Sequence, residues 1–363
     1  MRRVRIDHGV VAEWERLAAD APPFLRPAFF LAVARWLPPP GDPVLVSAHL
    51  DRALAAIMPL VLHRGRLSAL RCMHTPRFDL VGTPAALGAM WNRLREDTRW
   101  YALELGGVPE ESPLAGALVD LARRDGFQVA RWPGSEAPYI PLAEFERALP
   151  GKFRRNLQAR RRKLADLRFE RVAVADDEVI EEAFRLEAAA WKADAGTAIN
   201  SSPASRGFYT ELARRFAACG SLSINFLRAE GKRIAVHFAI EDGRTYYLLK
   251  PGYDPDYARF GPGHLLVHEA ALDARSRGLV ELDFLGQAMD WKLEWTSLLR
   301  RHVHLRIYRP SPRGRAAYAA RHVVRPALGR LRRAVRRARG AIERGAEEPR
   351  GGEARAAEER GEE

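Results

Sequence analysis

The sequence predicts an α/β protein in which helices pack on a mixed sheet, and the meander in the second half carries this prediction. Strand-like runs at 223–227, 233–240 and 245–250 are joined by tight Glu230-Gly231 and Asp242-Gly243 turns, a strong signal for antiparallel hairpins. Helical patterns lie on both sides of the meander. The first half of the chain alternates strands and helices in a similar way.

The elements around the meander are predicted from helix caps and hydrophobic spacing. One helix follows Asp176 and Asp177, and a second begins at Ser202-Pro203, a cap followed by a first-turn proline. A third helix ends near Gly278. Short strands at 280–284 and 302–308 complete the second half.

The first half predicts a second α/β segment without a Gly-rich loop. Helical stretches between Trp14 and Trp36 are interrupted by Pro22-Pro23. Pro59 is expected to weaken the second strand. The predicted strands are 44–50, 53–62, 101–105 and 128–131, and the predicted helix is 113–124.

Three parts are expected along the chain. The Leu149-Pro150-Gly151 break precedes a basic helix and places a boundary near residue 150. At 363 residues the chain is long enough for two domains with sizeable cores. We therefore predict domains at 1–150 and 151–310 and a tail at 311–363.

The loop Arg259-Phe-Gly-Pro-Gly263 would open the third helix of the second half. Glycines let a ligand approach the backbone, and a helix start presents unpaired N–H groups with a favourable dipole. The loop predicts a pyrophosphate site. It is not a P-loop, because no Gly-Lys-Ser/Thr follows, and the third glycine of a dinucleotide fingerprint would fall at Leu266. The alternative is a Gly-Pro turn that caps an ordinary helix.

The order of elements and motifs resembles the GNAT acetyltransferase superfamily, and more closely its tandem-GNAT branch of CelD-type bacterial acetyltransferases and Fem peptidyltransferases. The resemblance covers about 150–300. The glycine loop of this sequence has one residue fewer between its arginine and its first glycine than the GNAT pattern has, which leaves the role of Arg259 open. The matching pieces are Arg154-Arg155-Asn156-Leu157, Ala190-Trp191-Lys192, Gly196-Thr197-Ala198-Ile199, Phe208-Tyr209, Tyr253-Asp254-Pro255, the glycine loop, Asp283-Phe284-Leu285-Gly286 and Trp291-Lys292.

The resemblance implies two GNAT-like domains in tandem, the first degenerate. It implies acyl-CoA as a co-substrate and no permanently bound cofactor. The residues expected around the pyrophosphate are Arg259, Gly261, Gly263, His264 and Leu265.

Lys292 is the first candidate for catalysis, because the resemblance to Fem enzymes puts Trp291-Lys292 in the substrate channel. A lysine there can stabilise a developing oxyanion or hold a phosphate; the alternative is a solvated loop lysine. Asp283 ends a strand and could act as a base or hold the acceptor, or could simply cap a turn. The resemblance also places Trp191 and Lys192 at the acceptor pocket, although Trp191 could equally complete a helix face.

His237 and Tyr247 are the other catalytic candidates. Strand alternation puts His237 on a face with Ala235 and Ala239, where it could border a ligand and accept a proton, or serve as a structural histidine. Tyr246 or Tyr247 could protonate the leaving thiol, and we assign this role to Tyr247.

Metal chemistry is not expected. His264 and His268 have i, i+4 spacing, but no third ligand is evident. The two cysteines, Cys72 and Cys219, have neither metal nor redox spacing, so a reducing cytoplasm is the expected compartment. No run approaches the length of a membrane helix.

The net charge of +13 is concentrated in two basic segments, 152–163 and 313–339. After Pro326 the apolar residues recur at helical spacing and arginines fill the remaining circumference, which predicts an amphipathic helix followed by a disordered Glu/Arg segment. These segments suit an anionic membrane surface or tRNA. They allow a peripheral position on the inner membrane face.

The resulting prediction is an acyltransferase that moves an acyl group, expected to be acetyl, from acyl-CoA to an amine or hydroxyl. The acceptor could be a cell-envelope or polysaccharide precursor. One alternative is a Fem-like peptidyltransferase that uses aminoacyl-tRNA. The other is a non-catalytic module that binds nucleic acid or a membrane surface.

Overall fold

A computed structural model describes residues 8–189, 199–325 and 327–328. The chain forms two compact units, Met1–Arg309 and Pro310–Glu363. The larger unit includes both predicted domains, so a boundary near residue 150 stays a prediction. None of the described helices is long and apolar enough to cross a membrane.

The N-terminal part of the larger unit consists of helices around six strands. Each helix except α1 and α5 begins with a proline at its first position, as expected where an N–H would have no partner. The elements are α1 (His8–Leu17), α2 (Pro27–Trp36), β1 (Asp42–Leu50), β2 (Ala53–His63), β3 (Arg66–Ala69), β4 (Val81–Gly82), α3 (Pro84–Glu96), β5 (Ala102–Pro109), α4 (Pro113–Arg124), β6 (Gln128–Pro141) and α5 (Phe145–Ala148).

The second part contains the predicted meander and the helix that follows the glycine loop. Short 3₁₀ turns at Ile199–Ser201 and Pro255–Phe260 precede two of its helices. The elements are α6 (Gly151–Arg161), β7 (Arg168–Val172), α7 (Asp177–Ala189), α8 (Pro203–Ala218), β8 (Leu222–Ala229), β9 (Lys232–Glu241), β10 (Thr245–Tyr253), α9 (Pro262–Ser276), β11 (Glu281–Asp283), α10 (Asp290–Leu293) and β12 (Leu299–Tyr308).

All of these strands belong to one mixed sheet with the order β1-β2-β3-β5-β12-β6-β11-β10-β9-β8-β7, and β4 pairs with β2. The last strand, β12, lies between β5 and β6 and pairs antiparallel with both. The long β6 continues past β12 and pairs with β11 through Tyr139–Pro141. The two parts of the chain are therefore joined by exchanged strands.

Two hydrophobic cores lie on opposite faces of β9. Val236, Phe238 and Ile240 belong to the core under α7 and α8. Ala235 and Ala239 belong to the core under α9. The alternation predicted for this strand is confirmed, and each fully buried large apolar side chain contributes about 1.5–3 kcal/mol to folding.

Most predicted elements are present with bounds shifted by a few residues, as is usual for element ends. The expectation for Pro59 was wrong, because β2 runs through it and pairs Pro59 with Leu45. A strand tolerates a proline where the missing N–H is not required by its neighbour. Local sequence patterns did not predict β3, β4, β7, α3, α5 or α10.

The smaller unit begins with α11 (Pro312–Ala319), which Ser311 caps by accepting a hydrogen bond from the Gly314 N–H at 3.2 Å. A π-helical turn at Ala320–Val324 follows. The arginine-rich helix predicted after Pro326 lies almost entirely outside the described residues.

Candidate functional site

The site begins where two parallel strands separate. β10 pairs with β11 only from Thr245 to Tyr247, opposite Glu281 to Asp283. β10 then continues to Tyr253, whereas β11 ends. A β-bulge at Leu249 interrupts the pairing of β10 with β9. Strand separation and the bulge together open a cleft at this edge.

The cleft has a volume of about 730 Å³, a usual size for a small-molecule site. Its walls come from β10, the glycine loop, the segment after β11, and a loop after β3. Four cations and no carboxylate are among the described residues that line it: Arg71, Arg160, Lys250 and Lys292. The cleft is therefore suited to a ligand with negative charge.

The glycine loop forms one end of the cleft. Gly261 has φ +61° and ψ 51°, a left-handed conformation that glycine adopts at low cost. Its N–H donates to the Ala258 carbonyl at 2.9 Å, and the Leu265 N–H donates to the Gly261 carbonyl at 3.2 Å. These two N–H groups therefore donate to carbonyls of the loop itself. Within the described chain, the N–H groups of Gly263 and His264 have no recorded acceptor.

Arg160 supplies the positive charge at this loop. It lies on α6, lines the cleft, and places its Nη1 2.7 Å from where a Cβ on Gly261 would lie. Arg259, the arginine predicted for this role, is exposed and stacks over Phe260 with its guanidinium carbon 4.7 Å from the ring centre. The cation at the loop thus comes from the predicted basic segment.

His264 is held as a neutral ring beside the loop. The Trp295 Nε1–H donates to His264 Nδ1 at 3.1 Å, so the ring proton is on Nε2, because a tryptophan N–H can only donate. Burial lowers the pKa of His264. Phe153 of α6 and Trp291 also contact the ring edge-on. His264 can therefore act as a fixed N–H donor.

Lys292 lies in the wall of the cleft with 7% of its surface exposed. Its Nζ donates to the carbonyls of Leu285 at 2.7 Å and Gln287 at 3.0 Å. Leu285 and Gly286 both have positive φ, so the ammonium fixes a strained turn after β11. Lys292 is not a solvated loop residue, and its recorded contacts are those of a positioning residue. Trp291, its predicted partner, also lines the cleft.

Asp283 and Tyr247 do not line the cleft. Asp283 is fully buried and forms ion pairs with Arg77 and with Arg300, the latter at 2.6 Å. Its Oδ1 accepts the Leu285 N–H at 2.8 Å. Tyr247 donates to Asp242 at 2.6 Å, and burial raises its pKa. The structure gives both side chains partners within the fold and places neither in the wall of the cleft.

His237 lines the cleft and ends a buried polar chain. Asn225 Nδ2 donates to the Tyr246 hydroxyl at 2.9 Å, and this hydroxyl lies 3.1 Å from His237 Nδ1. Burial raises the pKa of Tyr246, which keeps the phenol protonated. We assign the phenol proton to the bond with Nδ1, because Asn225 is the donor in the other bond. His237 then carries its own proton on Nε2.

The N-terminal part contributes a wall that no sequence pattern predicted. The loop after β3 brings Arg71, His74 and Thr75 to the cleft. His74 stacks on Phe208 with ring centres 5.9 Å apart, and burial together with Lys250 lowers its pKa to about 4. Nothing local in the sequence marks these residues, since they are more than 100 positions from the glycine loop.

Lys250 and Glu187 form a buried pair at the cleft. Lys250 Nζ lies 4.0 Å from Glu187 Oε1 and 5.7 Å from the ring centre of Tyr209. Glu187 is 1% exposed and accepts the Ile199 N–H at 2.8 Å. The acceptor-site candidates Trp191 and Lys192 lie outside the described residues, between α7 and Ile199.

A second cavity of about 510 Å³ adjoins the cleft, because Ser135 and Gln287 line both. His302 of β12 lines it and donates its Nδ1–H to the Ser135 carbonyl at 3.1 Å. Two ion pairs, Arg131–Glu110 and Arg301–Glu136, lie at its partly exposed rim. This cavity is a polar second approach to the cleft.

Residues 151–293 match the acetyltransferase (GNAT) domain family. The matched segment runs from α6 through α10. It includes the glycine loop, the separated strands and Lys292. No curated protein matched the sequence.

Solved structures share this fold over most of the chain. FemX superposes with a TM-score of 0.60 at 10% identity, over 86% of this chain and 98% of its own. The C-terminal domain of a protein described as a lysylphosphatidylglycerol synthetase from Agrobacterium fabrum has a TM-score of 0.54 at 13% identity, over 85% and 94%. L-PGS from Bacillus licheniformis superposes with a TM-score of 0.50 at 12% identity, over 84% of this chain and 92% of its own. The chain therefore shares the fold of FemX, and its residues 151–293 form the GNAT part of that fold, as the motif order predicted.

Proposed function

We propose that the protein is an acyltransferase whose cleft binds an acyl-CoA. The observation that carries this proposal is the glycine loop at the mouth of two separating parallel strands. The Gly263 and His264 N–H groups at the start of α9 can donate to a pyrophosphate, favoured by the helix dipole. Arg160 lies over the same loop. The GNAT family match over residues 151–293 supports this use of the loop.

The charge of the cleft also supports an anionic donor. Four cations and no acidic side chain are among the described residues lining it. The Lys292 ammonium donates to two carbonyls of the wall, and the Lys250 ammonium lies near the Glu187 carboxylate. Arg160 is the cation nearest the glycine loop, so we assign it the pyrophosphate.

The acyl group would lie between the separated strands. A bulge leaves the extra residue outside the ladder, so the Leu249 N–H can donate to the thioester carbonyl oxygen as negative charge develops there. An amine or hydroxyl of the acceptor attacks the carbonyl carbon and releases its proton to water, the C–S bond breaks, and the leaving thiolate takes up a proton from water. The Nε2–H of His237 can donate to the oxyanion or to the leaving thiolate. Positioning supplies much of the acceleration.

A peptidyltransferase that takes amino acids from charged tRNA is the second candidate. The exposed arginines and lysines of α6 favour it, because Lys152, Arg154 and Arg155 lie on the helix that carries Arg160 to the loop. A row of exposed cations can follow a phosphate backbone. The similarity of fold to FemX supports this candidate as well.

Calorimetry with the full-length protein tests these candidates. We expect acetyl-CoA to bind, and Arg160→Gln to weaken its binding about tenfold through loss of a charge-assisted contact. Arg162→Gln, at the exposed C-cap residue of the same helix, is the matched control and should bind normally. Binding of charged tRNA without binding of acetyl-CoA would instead establish the second candidate.

If neither donor binds, the protein is a non-catalytic module. Titration with RNA and with anionic vesicles would then identify its partner. The acceptor class follows from product analysis once the donor is known, with cell-envelope and polysaccharide precursors as the first compounds to test.

A further inference from the structure

Arg71 differs from the other cations of the cleft in its surroundings. It follows β3, and its Nη2 donates to the Thr75 carbonyl at 3.1 Å. This is its only recorded hydrogen bond to the described residues, and none of their carboxylates forms an ion pair with it. Burial lowers the pKa of Arg71; the neighbouring Cys72 thiol opposes this effect in part, but no carboxylate of the described residues does.

An arginine in such a position is costly for the fold. Removing a charge from water without a partner of opposite sign is unfavourable, and arginines in protein interiors are therefore usually paired. Arg71 instead borders a cleft that contains no carboxylate among its described lining residues. A ligand anion would supply the missing partner.

The backbone around Arg71 is shaped to receive its guanidinium. A Cβ at Gly106 of β5 would lie 2.6 Å from Arg71 Nη1, and one at Gly107 would lie 3.2 Å from both terminal nitrogens. Two successive glycines thus leave the space that the planar group occupies. His304 of β12 lies beside it and stays neutral, because burial and Arg71 lower its pKa. Gly106, Gly107 and His304 thus form a cradle that holds the Arg71 guanidinium in place.

This cradle is far from the glycine loop. Gly106 and Gly107 lie on β5, and the loop follows β10, which is four strands away in the sheet order. At about 4.8 Å per strand the two sites are roughly 19 Å apart. One short anionic group cannot occupy both, so the cradle and the donor phosphates are separate.

We propose that Arg71 binds an anionic group, a carboxylate or a phosphate, of the acceptor substrate. The assignment to the acceptor rests on the proposed acyl-CoA donor at the glycine loop. Arg71 presents a planar fork that fits either anion in a bidentate manner. The acceptor would then carry its reacting amine or hydroxyl at a distance from its anionic group, with the cleft between them.

The test uses full-length protein titrated by calorimetry with inorganic phosphate and, separately, with acetate, in the presence and absence of saturating CoA. With CoA bound, the donor site is filled, and we expect one of the two anions still to bind. Which anion binds more tightly identifies the source as phosphate or carboxylate. Arg71→Gln should weaken that binding about tenfold or more.

Two further variants separate this site from net charge. Gly106→Ala retains Arg71 but displaces its guanidinium. This variant should weaken binding of the anion by a similar factor. Arg93→Gln, an exposed arginine on α3, removes the same charge and should have no effect. A thermal melt adds an independent reading, because loss of a half-buried charge that no carboxylate of the described residues pairs should leave Tm unchanged or raise it.

The proposal is overturned if Arg71→Gln binds both anions as the native protein does, or if it lowers Tm as loss of a structural arginine would. Absence of anion binding to the native protein in every condition also overturns it. Failure of CoA to bind removes the proposed donor but not the cradle, because the titration without CoA tests Arg71 directly.

Discussion

Polar side chains near the end of β11 serve the fold more than the sequence pattern suggested. Asp283 joins two arginines, Arg77 and Arg300, to the turn that follows the strand. Lys292 satisfies two carbonyls of the same turn. These contacts position the wall of the cleft, so the effect of changing them on catalysis is indirect.

Lys292→Ala should lower turnover by about 10²-fold, in the range found when the loss of a positioning contact misplaces reacting groups by about 1 Å. The donor affinity should change little, because the pyrophosphate is held elsewhere. The two carbonyls would lose their partner, so Tm should also fall. Kinetics, calorimetry and a thermal melt measure the three effects.

The control for this variant is Lys232→Ala, an exposed lysine at the β8–β9 hairpin. It should leave all three quantities unchanged. Normal turnover in Lys292→Ala would show that Lys292 does not contribute to catalysis.

The buried histidines predict how stability depends on pH. The pKa of His74 is lowered to about 4 from an ordinary 6.5, so between these values the unfolded chain binds a proton that the folded chain does not. The contribution of His74 is therefore complete above pH 6.5 and is lost as the pH falls towards 4. His74→Gln should lose less stability than the native protein between pH 7 and pH 5.

Urea midpoints of both proteins at the two pH values measure this difference. His264, His302 and His304 also have lowered pKa values through burial, so part of the pH dependence should remain in the variant. Identical shifts of the two midpoints would contradict the environment described for His74.

Local patterns predicted where α9 starts but not which side chains reach the glycine loop. Proline and glycine determine the start of α9, and the sequence shows them directly. Arg160, Arg71 and Lys250 reach the same cleft from other elements, and no spacing in the sequence relates them. The pairing of Asp283 with Arg77 spans 206 positions, which no periodicity can reveal.

At the scale of elements, the loop and α9 form the part of the site that a single substitution tests best. Gly263→Val should abolish donor binding, because the side chain would occupy the space beside the two donor N–H groups. The fold should remain, since a Cβ at Gly263 would lie an ordinary 3.6 Å from Tyr253 Cδ1. Calorimetry and a thermal melt report the two results.

Gly116→Val is the matched control. Gly116 lies on the exposed face of α4, and a Cβ there meets nothing within 4 Å. It carries the same cost of a β-branched residue in a helix. Normal CoA binding by Gly263→Val would place the donor elsewhere.

The meander and its helices were predictable because their signals are local. Two-residue turns fix the hairpins of β8, β9 and β10. The placement of β12 between β5 and β6 was not predictable, because the pairing of distant strands leaves no mark in the sequence of either strand. β3 and β4 were not predicted because each is too short to show a hydrophobic pattern. The expectation for Pro59 was wrong because it ignored how the neighbouring strands pair with this residue.

For the whole molecule, the tail is the part with a separate predicted role. All residues of the cleft belong to Met1–Arg309. Truncation after Pro310 should therefore preserve CoA binding and remove any affinity for anionic vesicles or RNA at low salt. The arginines of 313–339 would supply that affinity, and salt would weaken it.

Vesicle and RNA titrations of both proteins at low and high salt test this prediction. A truncated protein that retains full affinity would assign it to the basic α6 instead. Absence of affinity in the full-length protein would leave the tail without this role.

The position of β12 has a consequence for synthesis on the ribosome. The N-terminal strands β5 and β6 emerge more than 150 residues before their shared neighbour, Leu299–Tyr308. During that interval each presents an open edge, which is a template for unwanted pairing. The two halves must therefore mature together at the end of translation, and a nascent chain stalled before residue 299 is expected to need a chaperone.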